Sequence, residues 1–231
     1  MKSLLNDAIA GTLAEVDYFG SDGPVPAEVE YGHPKFALVT GENASGKSFV
    51  VRGLGEKLRD RHPNLEILAV TMSLRSQGGF SRALLFGDEQ RDSSGRISIK
   101  AVLAGLHACR DRQDDHVLVL DEPDIGLAES YAGALGTYLA AFVEDMPIRT
   151  LGLVVVTHSR PLVREVIAAE PASIRVGEDR RPLEQWLREG PLPRGLEDIE
   201  ALAERSAATT RGITRVRHAR LEAKRNTGPR A

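Results

Sequence analysis

The stretch that decides the fold is Gly41-Glu42-Asn43-Ala44-Ser45-Gly46-Lys47-Ser48. It matches the glycine-rich phosphate-binding loop (P-loop) in full, follows the short apolar run 36–40, and opens a segment that can form a helix. The glycines let backbone N–H groups approach phosphate oxygens, and the start of a helix adds a partial positive charge at the same place. A plain glycine turn is the alternative. The strand–loop–helix context favours phosphate binding.

Two side chains of the P-loop have separate expected roles. Lys47 can reach the β- and γ-phosphates of a nucleotide, and Ser48 can bind Mg²⁺. We expect the nucleotide to contact the loop and the residue after it: Gly41, Glu42, Asn43, Ala44, Ser45, Gly46, Lys47, Ser48 and Phe49.

Helix-like and strand-like patterns alternate along the chain. This alternation predicts an α/β fold, a three-layer sandwich with a mostly parallel sheet. The predicted helices cover residues 47–61, 97–112, 127–144, 161–169, 182–188 and 196–204, and the predicted strands cover 36–40, 65–72, 117–120, 151–157 and 173–176. The first 30 residues, with a turn at Asp22-Gly23-Pro24, would either add an antiparallel edge strand pair or bind a partner.

The composition is typical of a protein inside the cell. Of 231 residues, 42% are hydrophobic, which is enough for a substantial core. The single cysteine, Cys109, excludes an intramolecular disulfide and favours a reducing compartment. No apolar run is long enough to span a bilayer, and the first residues soon turn acidic, unlike a signal peptide. We therefore expect a cytoplasmic protein without membrane insertion.

Charge is distributed unevenly along the chain. Residues 205–231 carry eight Lys or Arg residues against one acidic residue, which gives this segment a net charge of +7 and leaves −10 for the rest. Clustered basic side chains can neutralise nucleic-acid phosphates. The alternative is a solvated, partly disordered terminus. We divide the chain into a nucleotide-binding domain, residues 1–204, and a basic C-terminal tail, residues 205–231.

A second motif follows the apolar run 117–120, which leads directly into Asp121-Glu122-Pro123-Asp124. A buried strand that ends in acidic residues places them at the edge of the sheet where nucleotides bind. Asp121 would hold Mg²⁺, directly or through water, and Glu122 would accept a proton from an attacking water. An acidic turn after a strand is the alternative interpretation.

These residues resemble those of ABC-type ATPases. Asp121-Glu122-Pro123 and the following Asp124-Ile125-Gly126-Leu127 are similar to the Walker B motif and D-loop of that family, above all in its soluble branch of RecF-like and chromosome-maintenance proteins. The strand 154–157 with His158 is similar to the switch-histidine strand, 36 residues after Glu122. The resemblance implies that His158 contacts the γ-phosphate and positions water and base. The alternative is an exposed helix-capping histidine.

Two further elements match the family less closely. Gln77 has the position of the Q-loop glutamine, which contacts Mg²⁺, and a plain polar turn is the alternative. The segment 92–96 has the position of the signature motif, so Ser93 and Gly95 would bind the ATP of an opposite subunit. It departs from the family pattern at both ends, with Asp92 and Arg96, and a serine-rich helix cap is the alternative.

An aromatic residue ahead of the P-loop often stacks on adenine in this family. Tyr31 is the best-placed candidate, and Tyr18 and Phe19 are two others. The alternative is that all three residues only pack in the core. Only 15 residues separate Gln77 from Ser93, too few for the helical subdomain of transporter subunits or for a long coiled coil. The resemblance therefore implies a minimal nucleotide-binding head without arms or a membrane-gripping subdomain.

The resemblance spans roughly residues 36–176 and implies an enzyme that binds ATP and Mg²⁺ and hydrolyses ATP. We assign residues 1–204 to this ABC-type domain. ATP would be sandwiched between two heads, in a homodimer or in a heteromer with another ATPase head. In this branch such cycles serve DNA repair, plasmid or chromosome handling, or phage defence, which would suit a basic tail that binds nucleic acid. The alternatives are a subunit that energises a membrane transporter, and a nucleotide-gated module that docks a protein partner with slow turnover.

Overall fold

A computed structural model describes residues 3–71 and 93–227, and within them the strands form one six-stranded sheet. The strands are β1 (Ala27–Glu30), β2 (His33–Gly41), β3 (Glu66–Thr71), β4 (His116–Asp121), β5 (Thr150–Thr157) and β6 (Pro171–Val176). Their order is β1-β6-β2-β5-β4-β3, and every neighbouring pair is parallel except β1 with β6. The strand that enters the P-loop, β2, and the strand that ends at Asp121, β4, are therefore separated only by β5.

Helices cover both faces of this sheet. They are α1 (Leu4–Leu13), α2 (Val16–Phe19), α3 (Lys47–Arg61), α4 (Ser94–Asp111), α5 (Glu129–Glu144), α6 (Arg160–Val166), α7 (Leu183–Glu189), α8 (Leu196–Glu200) and α9 (Leu202–Thr227), with a 3₁₀ turn at Ile167–Ala169. The central strands are apolar throughout because alternate residues enter two different cores. Leu118 and Leu120 of β4 pack with helices α4 to α7, while Val117 and Val119 pack with α1, α2 and α3.

The predicted fold class, an α/β sandwich with a mostly parallel sheet, is confirmed. The predicted helix 47–61 has the bounds of α3, and the predicted strands match β3 to β6 within two residues. The first 30 residues do supply an antiparallel edge strand, β1, which pairs with β6. They also form α1 and α2, which the sequence patterns did not reveal, and α1 packs into the core through Leu5, Ala8 and Ile9.

Within the segment that we divided from the domain, residues 205–227 are helical. A helix predicted over 196–204 is instead two helices, the short α8 and the 26-residue α9, so the boundary drawn between residues 204 and 205 falls inside α9. Residues at three- and four-residue spacing on α9 are partly buried, and Arg211 and Arg215 lie on its exposed face. Among the described helices, none combines the length and apolar character that a membrane crossing needs.

Candidate functional site

The P-loop joins the carboxyl end of β2 to the first turn of α3. Gly46 has a φ of 96°, in the left-handed region that favours glycine, and a Cβ there would lie 2.6 Å from a methyl group of Val25. The N–H of Phe49 donates to the carbonyl of Gly46 at 2.9 Å, which starts the helix directly after the loop. The first N–H groups of α3 therefore lie at the loop, where an anion can accept hydrogen bonds from them.

Lys47 is buried inside the loop, with 8% of its surface exposed. Its Nζ donates to the carbonyl oxygens of Gly41 at 3.0 Å and Glu42 at 2.9 Å. Burial lowers the pKa of Lys47, and the negative charges of Glu122 and Asp121 oppose that shift. An ammonium group carries three donors on a rotatable stem, so Lys47 can turn from these carbonyls to the oxygens of a phosphate.

The parallel strands bring the predicted acidic residues to the P-loop. Because β2, β5 and β4 are adjacent and parallel, their carboxyl ends meet at one edge of the sheet, which is where such folds bind ligands. Asp121 and Glu122 line the same cavity as residues 43–49, and this cavity has a volume of about 400 Å³. Burial and the neighbouring charge of Glu122 raise the pKa of Asp121, and Lys47 opposes the rise.

Glu122 and His158 form a hydrogen-bonded pair at this edge. His158 Nδ1 lies 3.2 Å from Glu122 Oε1. The hydrogen bond from His158 lowers the pKa of Glu122, and the same bond raises the pKa of His158. Glu122 has a φ of 52°, which is rare for a residue other than glycine, and its N–H donates to the carbonyl of Val156 at 2.8 Å. The backbone therefore holds the Glu122 carboxylate next to the His158 imidazole, and a carboxylate at this position can accept a proton from water.

A threonine that the sequence patterns missed connects these two residues. Thr157 Oγ1 donates to Asp124 Oδ1 at 2.8 Å and accepts the N–H of Ser159 at 2.9 Å. The bond to Asp124 joins the turn after β4 to the end of β5, and the bond from Ser159 fixes the turn after β5. Each of these segments carries one member of the Glu122–His158 pair. Thr157 is thus a positioning residue, and its place directly before His158 was the only signal in the sequence.

The predicted metal ligands fit Mg²⁺ in their chemistry. The Ser48 hydroxyl and the Asp121 carboxylate line the same cavity, and Mg²⁺ is usually held by one or two protein oxygens together with waters and substrate phosphates. The described part of the chain has no group of three His, Cys, Asp or Glu residues that could hold a metal ion. The third predicted ligand, Gln77, lies outside the described residues.

Ser93 and Gly95 lie at the start of α4, beside the turn after β4. A Cβ on Gly95 would lie 2.6 Å from the carbonyl oxygen of Gly126, and Ser98 Oγ donates to the carbonyl of Ile125 at 2.8 Å. Neither Ser93 nor Gly95 lines the cavity formed by the P-loop of the same chain. Ser93 is exposed. The structure therefore packs the predicted signature segment onto the predicted D-loop and keeps it apart from the loop of its own chain.

Tyr31 requires a correction. It lies between β1 and β2, its side chain is 55% exposed, and the neighbouring Gly32 contacts the start of β6. The P-loop begins at the other end of the nine-residue β2, roughly 30 Å away at about 3.3 Å per residue. The structure therefore does not bring Tyr31 to the site. Closeness in sequence was misleading because a full strand separates the two positions.

The aromatic residues near the loop are those that competed with Tyr31. Tyr18, Phe19 and Phe49 form a cluster, with ring centroids 5.1 Å apart for Tyr18 and Phe49 and 5.6 Å for Phe19 and Phe49. Phe49 also lines the cavity. Tyr18 and Phe19 are buried, so packing accounts for both of them.

The cavity has a second wall, which sequence reasoning missed. It comes from α9 and consists of Ser206, Thr209, Thr210 and Ile213. In addition, Glu42 of the P-loop forms an ion pair with Arg194, from the segment just before α8. Both features join parts of the chain far apart in sequence, and neither belongs to a recognisable motif.

The fold is that of a P-loop NTPase. Helices flank a six-stranded, mostly parallel sheet, a P-loop joins β2 to α3, and acidic residues end β4. No protein-family model matches the sequence, and no curated protein matches it. Among solved structures, the chain is similar to the crystal structure of Cdc6p from Pyrobaculum aerophilum, with 18% identity and a TM-score of 0.38. The match covers 73% of this chain and 43% of that one.

Proposed function

We propose that this protein is an ATPase of the ABC type, which binds ATP with Mg²⁺ and hydrolyses it between two heads. One observation carries the proposal: Lys47, Asp121 and Glu122 meet at a single cavity, with His158 bonded to Glu122. A cation for phosphate, a carboxylate for Mg²⁺ and a carboxylate for water are the parts that phosphoryl transfer to water requires.

Each residue has a defined task in this reaction. The N–H groups at the start of α3 and the Lys47 ammonium hold the phosphates, while Ser48 and Asp121 would hold Mg²⁺. Mg²⁺, when bound, neutralises charge on the phosphate oxygens. Glu122 is ionised and accepts the proton of the attacking water, a task worth about 10²–10⁴ in rate. His158 holds the carboxylate of Glu122 in place through its Nδ1.

A second head would complete the site. Ser93 is exposed at the start of the 18-residue α4, and it lies outside the cavity of its own chain, as a residue that serves an opposite subunit should. Hydroxyl and N–H donors at a helix start can hold a phosphate from another chain. The dimer, whether homomeric or heteromeric, is therefore part of the proposal.

The test is the ATPase rate measured against protein concentration, with Glu122→Gln beside the wild type. We expect a rate that rises more steeply than in proportion to concentration, and a loss of about 10²–10⁴ in the variant. The control is Glu129→Gln, an exposed glutamate at the start of α5, which should keep the rate. A proportional rate with ATP retained on the protein would instead identify a nucleotide-gated binding module.

We further propose that the process involves nucleic acid, bound by the exposed face of α9. Arg211, Arg215 and Arg225 lie on this face. Replacing all three with Ala should reduce the slope of log affinity against log salt by about 0.9 for each phosphate of duplex DNA that is no longer neutralised. The control replaces three exposed arginines elsewhere: Arg52, Arg59 and Arg164. If the slope of log affinity against log salt is the same for both variants and the wild type, α9 does not bind nucleic acid through these arginines, and this part of the proposal is wrong.

A further inference from the structure

We infer that the middle of α9, residues 206–213, is the nucleoside-binding wall of the cavity. On this inference the base and sugar of the nucleotide lie between α9 and Phe49, while the phosphates lie in the P-loop. The inference rests on the proposed function, because it assumes that a nucleotide occupies the loop. It adds a recognition surface that lies outside every motif identified in the sequence.

The first support is the composition of the cavity. On the P-loop side the cavity is lined by residues 43–48 together with Asp121 and Glu122, and the Lys47 ammonium, the Ser48 hydroxyl and the two carboxylates suit phosphates, metal and water. The α9 side has three hydroxyl residues and Ile213, with Phe49 next to the loop. A nucleoside has apolar faces and a few polar edges, which match apolar side chains with a small number of hydroxyl groups. A phosphate would instead call for cationic side chains, and the α9 residues that line the cavity include none.

The second support is that ion pairs hold α9 at its amino-terminal end. Arg205 of α9 contacts Asp198 at 3.2 Å, and Asp198 also contacts Arg194 at 3.3 Å. Arg194 in turn pairs with Glu42 inside the P-loop. This chain of alternating charges links the first turn of α9 to the loop itself.

The third support is a separate anchor near the carboxyl-terminal end of α9. Arg220 contacts Glu15 at 2.6 Å and Asp17 at 3.0 Å, and its guanidinium lies 4.4 Å from the ring centroid of Tyr18. Between the two anchors, Ile213 and Val216 pack against the core that contains the aromatic cluster. Contacts within the protein therefore hold the wall in place without a ligand.

A direct bond also joins the wall to the loop. Thr209 Oγ1 donates to the carbonyl of Ala44, at the tip of the P-loop, at 3.4 Å. The middle of α9 thus lies directly beside the phosphate-binding residues, so a nucleotide held by the loop would contact it.

Two threonines on α9 provide a matched pair for a test. Thr210 lines the cavity, whereas Thr214, one turn further on, does not. Both are exposed, and each hydroxyl donates to the carbonyl four residues earlier. The single native cysteine, Cys109, is fully buried, so Thr210→Cys and Thr214→Cys each add one accessible thiol to the described part of the chain. The rate of alkylation of that thiol is the measurement, in the presence of ADP or of inorganic tripolyphosphate.

We expect ADP, at about a hundred times its dissociation constant, to slow alkylation of the Thr210→Cys variant by about tenfold or more, because only ligand-free protein reacts. Tripolyphosphate should not slow it, and neither ligand should slow alkylation of the Thr214→Cys variant. Equal protection by tripolyphosphate would overturn the inference, since α9 would then contact phosphate. Faster alkylation with ADP would also overturn it, since α9 would then be displaced by the nucleotide. If the wild type binds neither ligand, the proposed function fails instead.

A second pair of variants tests the same wall through affinity. Ile213 and Val216 both pack against the same core, but only Ile213 lines the cavity. Ile213→Ala should weaken ADP binding by about tenfold, because the base loses apolar contact, and leave tripolyphosphate binding unchanged. Val216→Ala should leave both affinities unchanged. Equal weakening of ADP binding by both variants would show that Ile213 acts only by docking the helix, and this would contradict a nucleoside contact.

Discussion

The two walls of the cavity differ in how they are built. The P-loop wall comes from consecutive residues between β2 and α3, and its shape follows from local backbone geometry and from Lys47 bonded to carbonyls of its own loop. The α9 wall is separated from the loop by 165 residues, counted from Ala44 to Thr209, and is placed by side-chain ion pairs and packing. A motif can thus supply the chemistry of a site while distant contacts supply its shape.

The largest effect should come from the P-loop wall. Lys47→Ala removes charge-assisted hydrogen bonds to phosphate, each worth about 1.5–3 kcal/mol, so ADP and tripolyphosphate should both bind about a hundredfold more weakly. Calorimetric titration would measure this. Lys35→Ala is the control. Lys35 lies near the start of β2, at the end of the strand away from the P-loop, and its Nζ donates to the carbonyl of Thr150 in β5. If the ADP affinity of Lys47→Ala stayed within about twofold of the wild-type value, the P-loop wall would not contribute more to ADP binding than the α9 wall does.

A smaller effect is expected where α9 meets the amino-terminal segment. A Cβ at Gly212 would lie 2.6 Å from the Cβ of Pro24, so Gly212→Leu must shift the helix, at a cost of about 1–3 kcal/mol in the free energy of unfolding. Urea unfolding measures the cost, and ADP binding should weaken while tripolyphosphate binding stays unchanged.

The control for that change is Gly133→Leu, at a partly exposed position on α5. A Cβ at Gly133 would lie no closer than 3.8 Å to an atom outside its own helix, which is ordinary van der Waals contact, so stability should not fall by more than about 0.5 kcal/mol. If Gly212→Leu is as stable as the control and binds ADP normally, α9 does not depend on close contact with Pro24.

The carboxyl-terminal anchor of α9 should be sensitive to acid. Burial raises the pKa of Glu15, but hydrogen bonds from Lys57 and Arg220 outweigh it and lower the pKa below 4.5. A carboxylate with a lowered pKa stabilises the fold above its unfolded-state pKa, and the stabilisation is lost as pH falls through the folded-state value. Wild type should therefore be more stable than Glu15→Gln at neutral pH, and the difference should shrink below pH 4.5.

Urea unfolding at several pH values would measure that difference. Glu56→Gln, at an exposed position on α3, serves as the control and should follow the wild type across the range. A stability difference between wild type and Glu15→Gln that does not change with pH would show that the charge of Glu15 does not hold α9.

The smallest effect should come from the link between the walls. The Arg194 and Glu42 side chains are 32% and 39% exposed, and ion pairs of this kind contribute about 0.2–1 kcal/mol. Arg194→Ala should therefore weaken ADP binding by no more than about fivefold, and less at high salt. Titrations at two salt concentrations would measure it. Weakening as large as that of Lys47→Ala would mean that the two walls are one cooperative unit.

The sequence allowed much of the fold and one wall of the site to be predicted. Residues 41–48 form a complete motif with its strand and helix in consecutive order, so local geometry was sufficient. The acidic residues at 121 and 122 were predictable because they end a buried apolar strand, and parallel strands end at one edge. Their meeting at the P-loop edge is what the alternation of helices and strands implies. The role of His158 was implied by the resemblance to ABC-type ATPases.

The rest depended on contacts that leave no periodic signal. Tyr31 was chosen for its closeness to the P-loop in sequence, but a whole strand separates the two. The α9 wall depends on which acidic side chains meet Arg205 and Arg220, and a sequence with many charges permits many such pairs. Thr157 was missed for a similar reason, because its partner Asp124 lies on another strand end.

The distance in sequence between the two walls has a consequence for synthesis. At about 5–20 residues per second, a ribosome needs roughly ten to thirty seconds to pass from Ala44 to Thr209. During that interval the P-loop, β4 and β5 are all translated, while the wall formed by α9 is not. A nascent chain can therefore present a phosphate-binding loop well before it can enclose a whole nucleotide.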